Sequence, residues 1–168
     1  MDDFERVDPP LDSTEEEMLN AWLDYHRATL LLKVAGVSDE DLRRKLTPSG
    51  LTLLGLVKHL AYVERGWFQE TFSGRVLYSP ETPDDPDADW RIEPGESTAE
   101  ILELYRQEVR EARRIVGSAS LDDISKKNSS RGNSFSLRWI MQHMIEETAR
   151  HNGHADILRE MIDGVTGD

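Results

Sequence analysis

The sequence contains no cysteine. This absence excludes disulfide bonds, thiolate metal ligands and a cysteine nucleophile, so any thiol that takes part in a reaction must come from another molecule. The sequence also lacks a run of roughly 18 apolar residues, which a membrane-spanning helix would need. Its acidic first residues lack the basic start and apolar stretch of a signal peptide. We therefore expect a cytoplasmic protein that does not bind membranes.

Basic residues are scarce, with 20 Lys and Arg against 33 Asp and Glu and a net charge of -13. No basic cluster with interleaved aromatic residues offsets this charge, so the composition argues against nucleic-acid binding. Hydrophobic residues make up 38% of the 168 positions, enough for a buried core, and the acidic residues lie between apolar stretches. We expect one folded domain over residues 1–168.

Four segments show helical periodicity, and none shows the sustained alternation of a strand. Capping boxes and glycines indicate where these segments begin and end. The predicted helices run from Ser13, with Glu16 as its capping-box partner, to Gly36; from Leu51, capped by Ser49, to about Gly74; from Ser97, with Glu100, to Gly117; and from Ser134 or Ser136 to about Gly164. Four long helices without strands predict an all-α four-helix bundle.

The connection between the second and third helices is unusually long. Residues 75–96 contain four prolines and several aspartates, so we expect no helix there. A connection of this length indicates a lid or a long crossover between bundle ends. We expect Trp90 to anchor this crossover onto the body of the protein, and contact with a ligand is the less favoured alternative.

The fourth helix has polar residues where its core should be. A heptad repeat places three of them in succession between apolar neighbours, and burying such groups alone costs several kcal/mol. We therefore expect them to be paired, hydrogen-bonded or bound to a metal. The predicted core positions are Leu137, Ile140, Met144, Glu147, His151, His154, Leu158, Met161 and Val165.

Three residues form a candidate metal site. Glu147 and His151 lie four residues apart, so their side chains share one face of the helix and can converge on one ion. His59, in the middle of the second helix, could supply a third ligand if the two helices face each other. Two histidines and one carboxylate with open positions are typical of catalytic zinc and non-haem iron sites.

Structural alternatives exist for each residue. His59 could simply bond a backbone carbonyl, and Glu147 could form an ion pair with His151 or Arg150. We expect His154 to contact a metal ligand rather than the metal. The remaining residues have expected structural or solvent-exposed roles: His143 in solvent, His26 structural, and Trp22, Trp67, Phe68 and Trp139 in core and interface packing. The sequence has no HExxH motif, Ser-His-Asp order or glycine-rich phosphate loop, which argues against protease and nucleotide-binding functions.

Three stretches resemble the DinB-like superfamily, in particular its actinobacterial branch related to mycothiol-dependent maleylpyruvate isomerase. They are PSGLTLLGLVKHL at 48–60, VERGWF at 63–68 and EETARHNGHAD at 146–156. The resemblance implies a four-helix bundle with a crossover after the second helix and a metal triad of His59, Glu147 and His151. Most of the superfamily has a histidine where this chain has Glu147 and a glutamine where it has His154. The mycothiol-linked branch shares the carboxylate.

The resemblance implies a metal-dependent S-transferase or isomerase that acts on a small thiol of the mycothiol type and an electrophilic substrate. It implies a divalent cation, with zinc favoured over nickel, iron or manganese, and a low-molecular-weight thiol as cosubstrate. His154 and Arg150 are candidates for supporting roles, with Arg150 or Arg131 facing an anionic substrate group. Two alternatives remain open, a metal-dependent hydrolase and a non-enzymatic, stress-related metal-binding protein. The sequence does not fix the oligomeric state, but bundles with exposed tryptophans often form dimers, which allows a homodimer.

Overall fold

The computed structural model describes residues 4–167. Residues 1–3 and 168 lie outside this range. They include the start of the N-terminal stretch that lacks the features of a signal peptide, and both ends of the domain predicted over residues 1–168. The secondary-structure elements of the chain are α1 (Glu15–Val34), α2 (Asp39–Leu42), α3 (Leu53–Glu64), a π-helical segment (Arg65–Phe72), a 3₁₀ turn (Ala88–Trp90), α4 (Thr98–Val116) and α5 (Leu137–Asp163). Among the described residues there is no strand, only the isolated bridges Thr82 with Asp85 and Ile124 with Ser136. The predicted all-α class is confirmed.

No helix within residues 4–167 combines the length and the apolar character that crossing a membrane requires.

The predicted capping box of α4 is confirmed. The Ser97 side chain accepts a hydrogen bond from the Glu100 amide, and the Glu100 carboxylate accepts one from the Ser97 amide. The start of α1 was predicted one residue too early. Thr14, not Ser13, is the N-cap, and its capping-box partner is Glu17. Ser13 has a different role, because its hydroxyl donates to the Glu17 carboxylate.

Threonine caps the helix that contains His59. The Thr52 hydroxyl accepts from the Gly55 amide at 2.9 Å, so α3 begins at Leu53, and the predicted start at Leu51 with a Ser49 cap is wrong. For α5, the second of the two predicted caps is correct, because the Ser136 hydroxyl accepts from the Trp139 amide at 3.2 Å. The sequence prediction missed the short α2 entirely.

The chain forms two compact units, one made of Met1–Leu56 with Met141–Asp168 and the other of Val57–Ile140. In the first unit, Asn152 donates to the carbonyl of His26 at 2.9 Å, and Arg159 donates to the carbonyl of Lys33 at 2.9 Å. The contact points advance together along both helices, so α1 and α5 run parallel. Lys33 also forms an ion pair with Asp156 at 2.8 Å.

In the second unit, α3 and its π-helical continuation also run parallel to α4. The Lys58 ammonium lies 2.7 Å from the Glu96 carboxylate just before α4, and farther along Arg65 contacts Glu108 inside it. Two consecutive parallel helices require the chain between them to return along their length, which accounts for the long connection. Residues 75–96 contain no α-helix, as predicted. The arrangement of the four long helices in one DinB-like bundle, and their assignment to one domain, stay predictions.

Most of the predicted core positions of α5 are correct, but three toward its C-terminal end are wrong. Six predicted positions are buried, and they are Leu137, Ile140, Met144, Glu147, His151 and Leu158. The other three, His154, Met161 and Val165, are exposed. A strict heptad drifts by about 20° per repeat relative to a helix of 3.6 residues per turn, so the predicted stripe rotates out of the core. The other buried residues of α5, which the heptad pattern did not predict, are Met141, Thr148, Asn152 and Ala155.

Candidate metal site

His59 lies in the middle of α3 and is held by the crossover. Its Nδ1 lies 2.5 Å from Oδ2 of Asp89, a residue with no exposed surface. A carboxylate accepts from a ring N–H, so the contact favours the tautomer that carries its proton on Nδ1 and its lone pair on Nε2. The indole of Trp90 stacks on the same ring with centroids 3.7 Å apart and planes 16° from parallel. Trp90 therefore packs against α3, as expected of an anchor.

A second contact ties the crossover to α3. The ammonium of Lys58 donates to the carbonyl of Arg91 at 2.6 Å and to the carboxylate of Glu96 at 2.7 Å. The Lys58 side chain is only 3% exposed, so this charge is paired in a largely buried setting. The crossover is thus fixed to two consecutive residues of α3, Lys58 and His59.

Another acidic residue of the crossover interacts with Asp89. Desolvation, followed by the hydrogen bond with Asp89 and repulsion from it, raises the pKa of Glu81 to about 7. The same surroundings that hold Asp89 next to His59 therefore make Glu81 easier to protonate than an ordinary glutamate.

Glu147 and His151 form the part of the candidate site that α5 carries. Nε2 of His151 lies 3.0 Å from Oε1 of Glu147, and both side chains are largely buried. Nδ1 of His151 lies 3.2 Å from Nδ1 of His154. Glu147 and His151 therefore share one face of α5, as their four-residue spacing predicts.

Arg150 is the third neighbour of Glu147. Its guanidinium donates to Oε2 of Glu147, the oxygen that does not face His151. Burial raises the pKa of Glu147, but the hydrogen bond from Arg150 and the attraction of His151 outweigh it, and the net pKa is lowered. Glu147 is therefore a carboxylate, the form in which it can bind a cation.

The three predicted ligands lie close together. His59, Glu147 and His151 each offer one ligand atom, and these atoms all lie within 4.8 Å of one another. Two imidazoles and a carboxylate are a donor set that suits zinc and other first-row divalent cations. By its spacing and by its chemistry, the cluster could hold a metal ion.

The other residues considered from the sequence have supporting or separate positions. His154 contacts His151 but is exposed, and Arg150 divides its contacts between Glu147 and Glu146. Arg131 is exposed in the loop that precedes α5. His143 lies 3.7 Å from Glu146 and is only partly exposed, whereas His26 stacks on Trp22.

The aromatic residues mostly pack against one another. Trp67 and Trp139 have ring centroids 5.4 Å apart, and Phe135 lies against both. Phe68 is fully buried, as expected, but Trp22 is 41% exposed, and its ring lies near those of Tyr25 and His26 on the same helix.

Asp89 is the residue that the sequence analysis missed. It is one of four aspartates between positions 84 and 89, and the turns around it have no periodicity that would distinguish a buried carboxylate from exposed ones. The only available signal was its neighbour Trp90, an aromatic residue in an otherwise polar loop. A loop that carries an anchoring indole was therefore the place to look for a partner of His59.

Comparison with known protein families supports a family assignment. The family model described as mycothiol-S-transferase matches residues 18–164, which is most of the chain and includes all three candidate ligands. A search of curated proteins finds no match. The family match confirms the resemblance to the DinB-like superfamily and its mycothiol-related branch. The chain belongs to the mycothiol-S-transferase family.

Proposed function

We propose that this protein is a metal-dependent S-transferase that uses a small thiol of the mycothiol type, with the metal held by His59, Glu147 and His151. The observation that carries the proposal is the convergence of three ligand atoms within 4.8 Å in a chain of the mycothiol-S-transferase family. The donor set fits a catalytic site because three protein ligands leave a coordination position for a substrate.

The sequence defines where the thiol comes from. The chain has no cysteine, so the sulfur nucleophile must be a cosubstrate. When bound, a divalent cation supplies Lewis acidity that lowers the pKa of a coordinated thiol and favours its thiolate. The sulfur would form a new bond to an electrophilic carbon, with the thiol proton released and, in a substitution, the leaving group of the substrate expelled.

The chain's own residues prepare the ligands. Asp89 keeps the proton of His59 on Nδ1, which leaves the lone pair on Nε2 to bind a cation. Nε2 of His151 faces the Glu147 carboxylate, so a cation bound to both would replace the proton between them. The ring proton would then lie on Nδ1, which is 3.2 Å from an acceptor, Nδ1 of His154. Arg150 bonds the second oxygen of Glu147 and so fixes the orientation of the first.

The finer parts of the proposal follow from the same donor set. We expect zinc rather than nickel, iron or manganese, because a mixed imidazole and carboxylate set with an open position is typical of catalytic zinc. A cytoplasmic location and a DinB-like four-helix bundle belong to the same proposal, and a homodimer is compatible with the exposed indole edges of Trp22 and Trp139.

The proposal is tested by measuring the transfer of a thiol to an electrophile. Zinc-loaded protein is mixed with mycothiol and chlorodinitrobenzene, and formation of the thioether is followed by absorbance, with glutathione and bacillithiol in parallel. We expect turnover that requires both metal and thiol and that the His151→Ala variant lacks. Metal-loaded protein that accelerates no thiol transfer would contradict the proposal, as would product formation that does not need a thiol.

A further inference from the structure

We propose that Asp89 and Trp90 are positioning residues for His59, so that the crossover, and not only the helices, determines how strongly the site binds its metal. This inference rests on the proposed function, because it concerns the orientation of one proposed ligand. Nothing in the sequence pattern singled out Asp89. It is assigned by its contacts in the structure.

The first step of the argument is the hydrogen bond between Asp89 and His59. The 2.5 Å contact joins Oδ2 to Nδ1 and selects the tautomer whose lone pair is on Nε2. A carboxylate that accepts from the non-ligating nitrogen of a histidine fixes the ring and increases the basicity of the ligating nitrogen. Asp89 has no exposed surface, so solvent does not weaken this contact.

The second step is that consecutive residues hold two different parts of the same ring. Asp89 bonds the edge of the imidazole, whereas Trp90 covers its face with centroids 3.7 Å apart. The hydrogen bond from Nδ1 to Asp89 restricts tilting of the imidazole ring relative to the carboxylate. The indole stacked on the face of the ring restricts rotation of the imidazole out of its own plane. The 3₁₀ turn Ala88–Trp90 brings the two side chains to one imidazole.

The third step is that the crossover is fixed next to the ligand. Lys58 directly precedes His59, and its ammonium bonds the carbonyl of Arg91 and the carboxylate of Glu96. Along the crossover, His59 contacts Asp89 just before Trp90, and Lys58 contacts Arg91 and Glu96 after it. This pairing keeps Asp89 and Trp90 at the ligand even though the rest of the crossover has little regular structure.

The test measures binding of Co²⁺, which reports both affinity and ligand geometry through its visible absorption. Full-length wild type, Asp89→Asn, Asp89→Ala and Trp90→Leu are titrated in competition with a chelator, with Asp85→Asn as the control. Asp85 lies in the same crossover and contacts Arg91 but not His59. Circular dichroism melts of the metal-free proteins identify any variant that fails to fold.

We expect Asp89→Ala to bind Co²⁺ about 10–100-fold more weakly than wild type, the range seen when outer partners of metal ligands are removed. Asp89→Asn should be intermediate, because a neutral amide oxygen can still accept from Nδ1, and both variants should show an altered absorption band. Trp90→Leu should weaken binding less, and Asp85→Asn should match wild type.

The outcomes separate this inference from the proposed function. If folded Asp89→Asn and Asp89→Ala bind Co²⁺ with the wild-type affinity and spectrum, the positioning role is wrong and the metal site stands. If Asp85→Asn weakens binding as much as Asp89→Asn, the effect is one of general loop charge and the inference is also wrong. If the wild type binds no Co²⁺, the proposed function itself fails.

Discussion

Two adjacent glutamates of α5 have very different surroundings. The Glu146 side chain is 59% exposed, whereas that of Glu147 is 12% exposed and contacts both His151 and Arg150. One step along a helix of 3.6 residues per turn rotates a side chain by about 100°, which carries it from solvent to the buried face. The position of Glu147 on the helix, and not its residue type, makes it a candidate ligand.

Glu147→Gln keeps the size of the side chain but removes its charge, and a neutral amide is a poorer ligand for a divalent cation than a carboxylate. We expect the dissociation constant for Zn²⁺ to rise by more than the roughly 10–100-fold caused by losing an outer partner. Competition with a chromophoric chelator measures it. Glu146→Gln is the matched control and should bind Zn²⁺ like wild type. Equal affinities for the two variants would exclude Glu147 from the site.

The helix that contains His59 changes its hydrogen-bonding pattern after Glu64. It continues as a π-helix over Arg65–Phe72, and the Ser73 amide bonds the carbonyl of Phe68 five residues earlier. Such wider turns are uncommon and occur frequently near functional sites. This segment carries Arg65 and Gln69, which both contact Glu108 of α4. Glu108 therefore joins the π-helical segment to α4.

Glu108→Ala tests this connection. The variant leaves the guanidinium of Arg65 in a mostly buried position without its carboxylate, so we expect the free energy of unfolding to fall by about 3 kcal/mol. Chemical denaturation measures the change. Glu103→Ala removes an exposed partner of Arg110 on the same helix and should cost less than about 1 kcal/mol. A loss for Glu108→Ala no larger than that of Glu103→Ala would show that the connection does not stabilise the fold.

Helix existence was predictable because caps and apolar periodicity are local signals. Ser97 and Glu100 were identified correctly, since only one capping box fits there, but Ser13 and Thr14 offered two overlapping boxes, and the structure uses the second. The change to a π-helix was not predictable. Its wider turns lie where Arg65 and Gln69 meet a carboxylate distant in the chain, and no pattern of neighbouring residues encodes that contact.

At the scale of the whole molecule, the acidic composition alone does not distinguish the few carboxylates that have buried, specific partners. Of 33 acidic residues, Glu147 was recognisable because it interrupts an apolar stripe, and Asp89 was not because it lies in a loop without periodicity. The ligand residue types and their spacing were therefore available from the sequence. The partner of His59 was not, because only the folded crossover brings it to the ring.

The absence of cysteine acquires a functional meaning from family membership. Under the proposed function, a member of the mycothiol-S-transferase family that has no thiol of its own would need a small-molecule thiol and a group that activates it. The three converging ligands offer the place for that group. The proposed catalysis therefore depends on whether the native protein binds a metal ion at these residues.

The most direct test is the metal content of protein purified without chelators, measured by inductively coupled plasma mass spectrometry for wild type and single variants. We predict about one divalent ion per chain in wild type, loss of that ion in His59→Ala and His151→Ala, and its retention in His143→Ala, a histidine of α5 outside the cluster. A wild type that holds no metal and takes up none on reconstitution would contradict the central claim. Full metal content in His59→Ala and His151→Ala would contradict it equally.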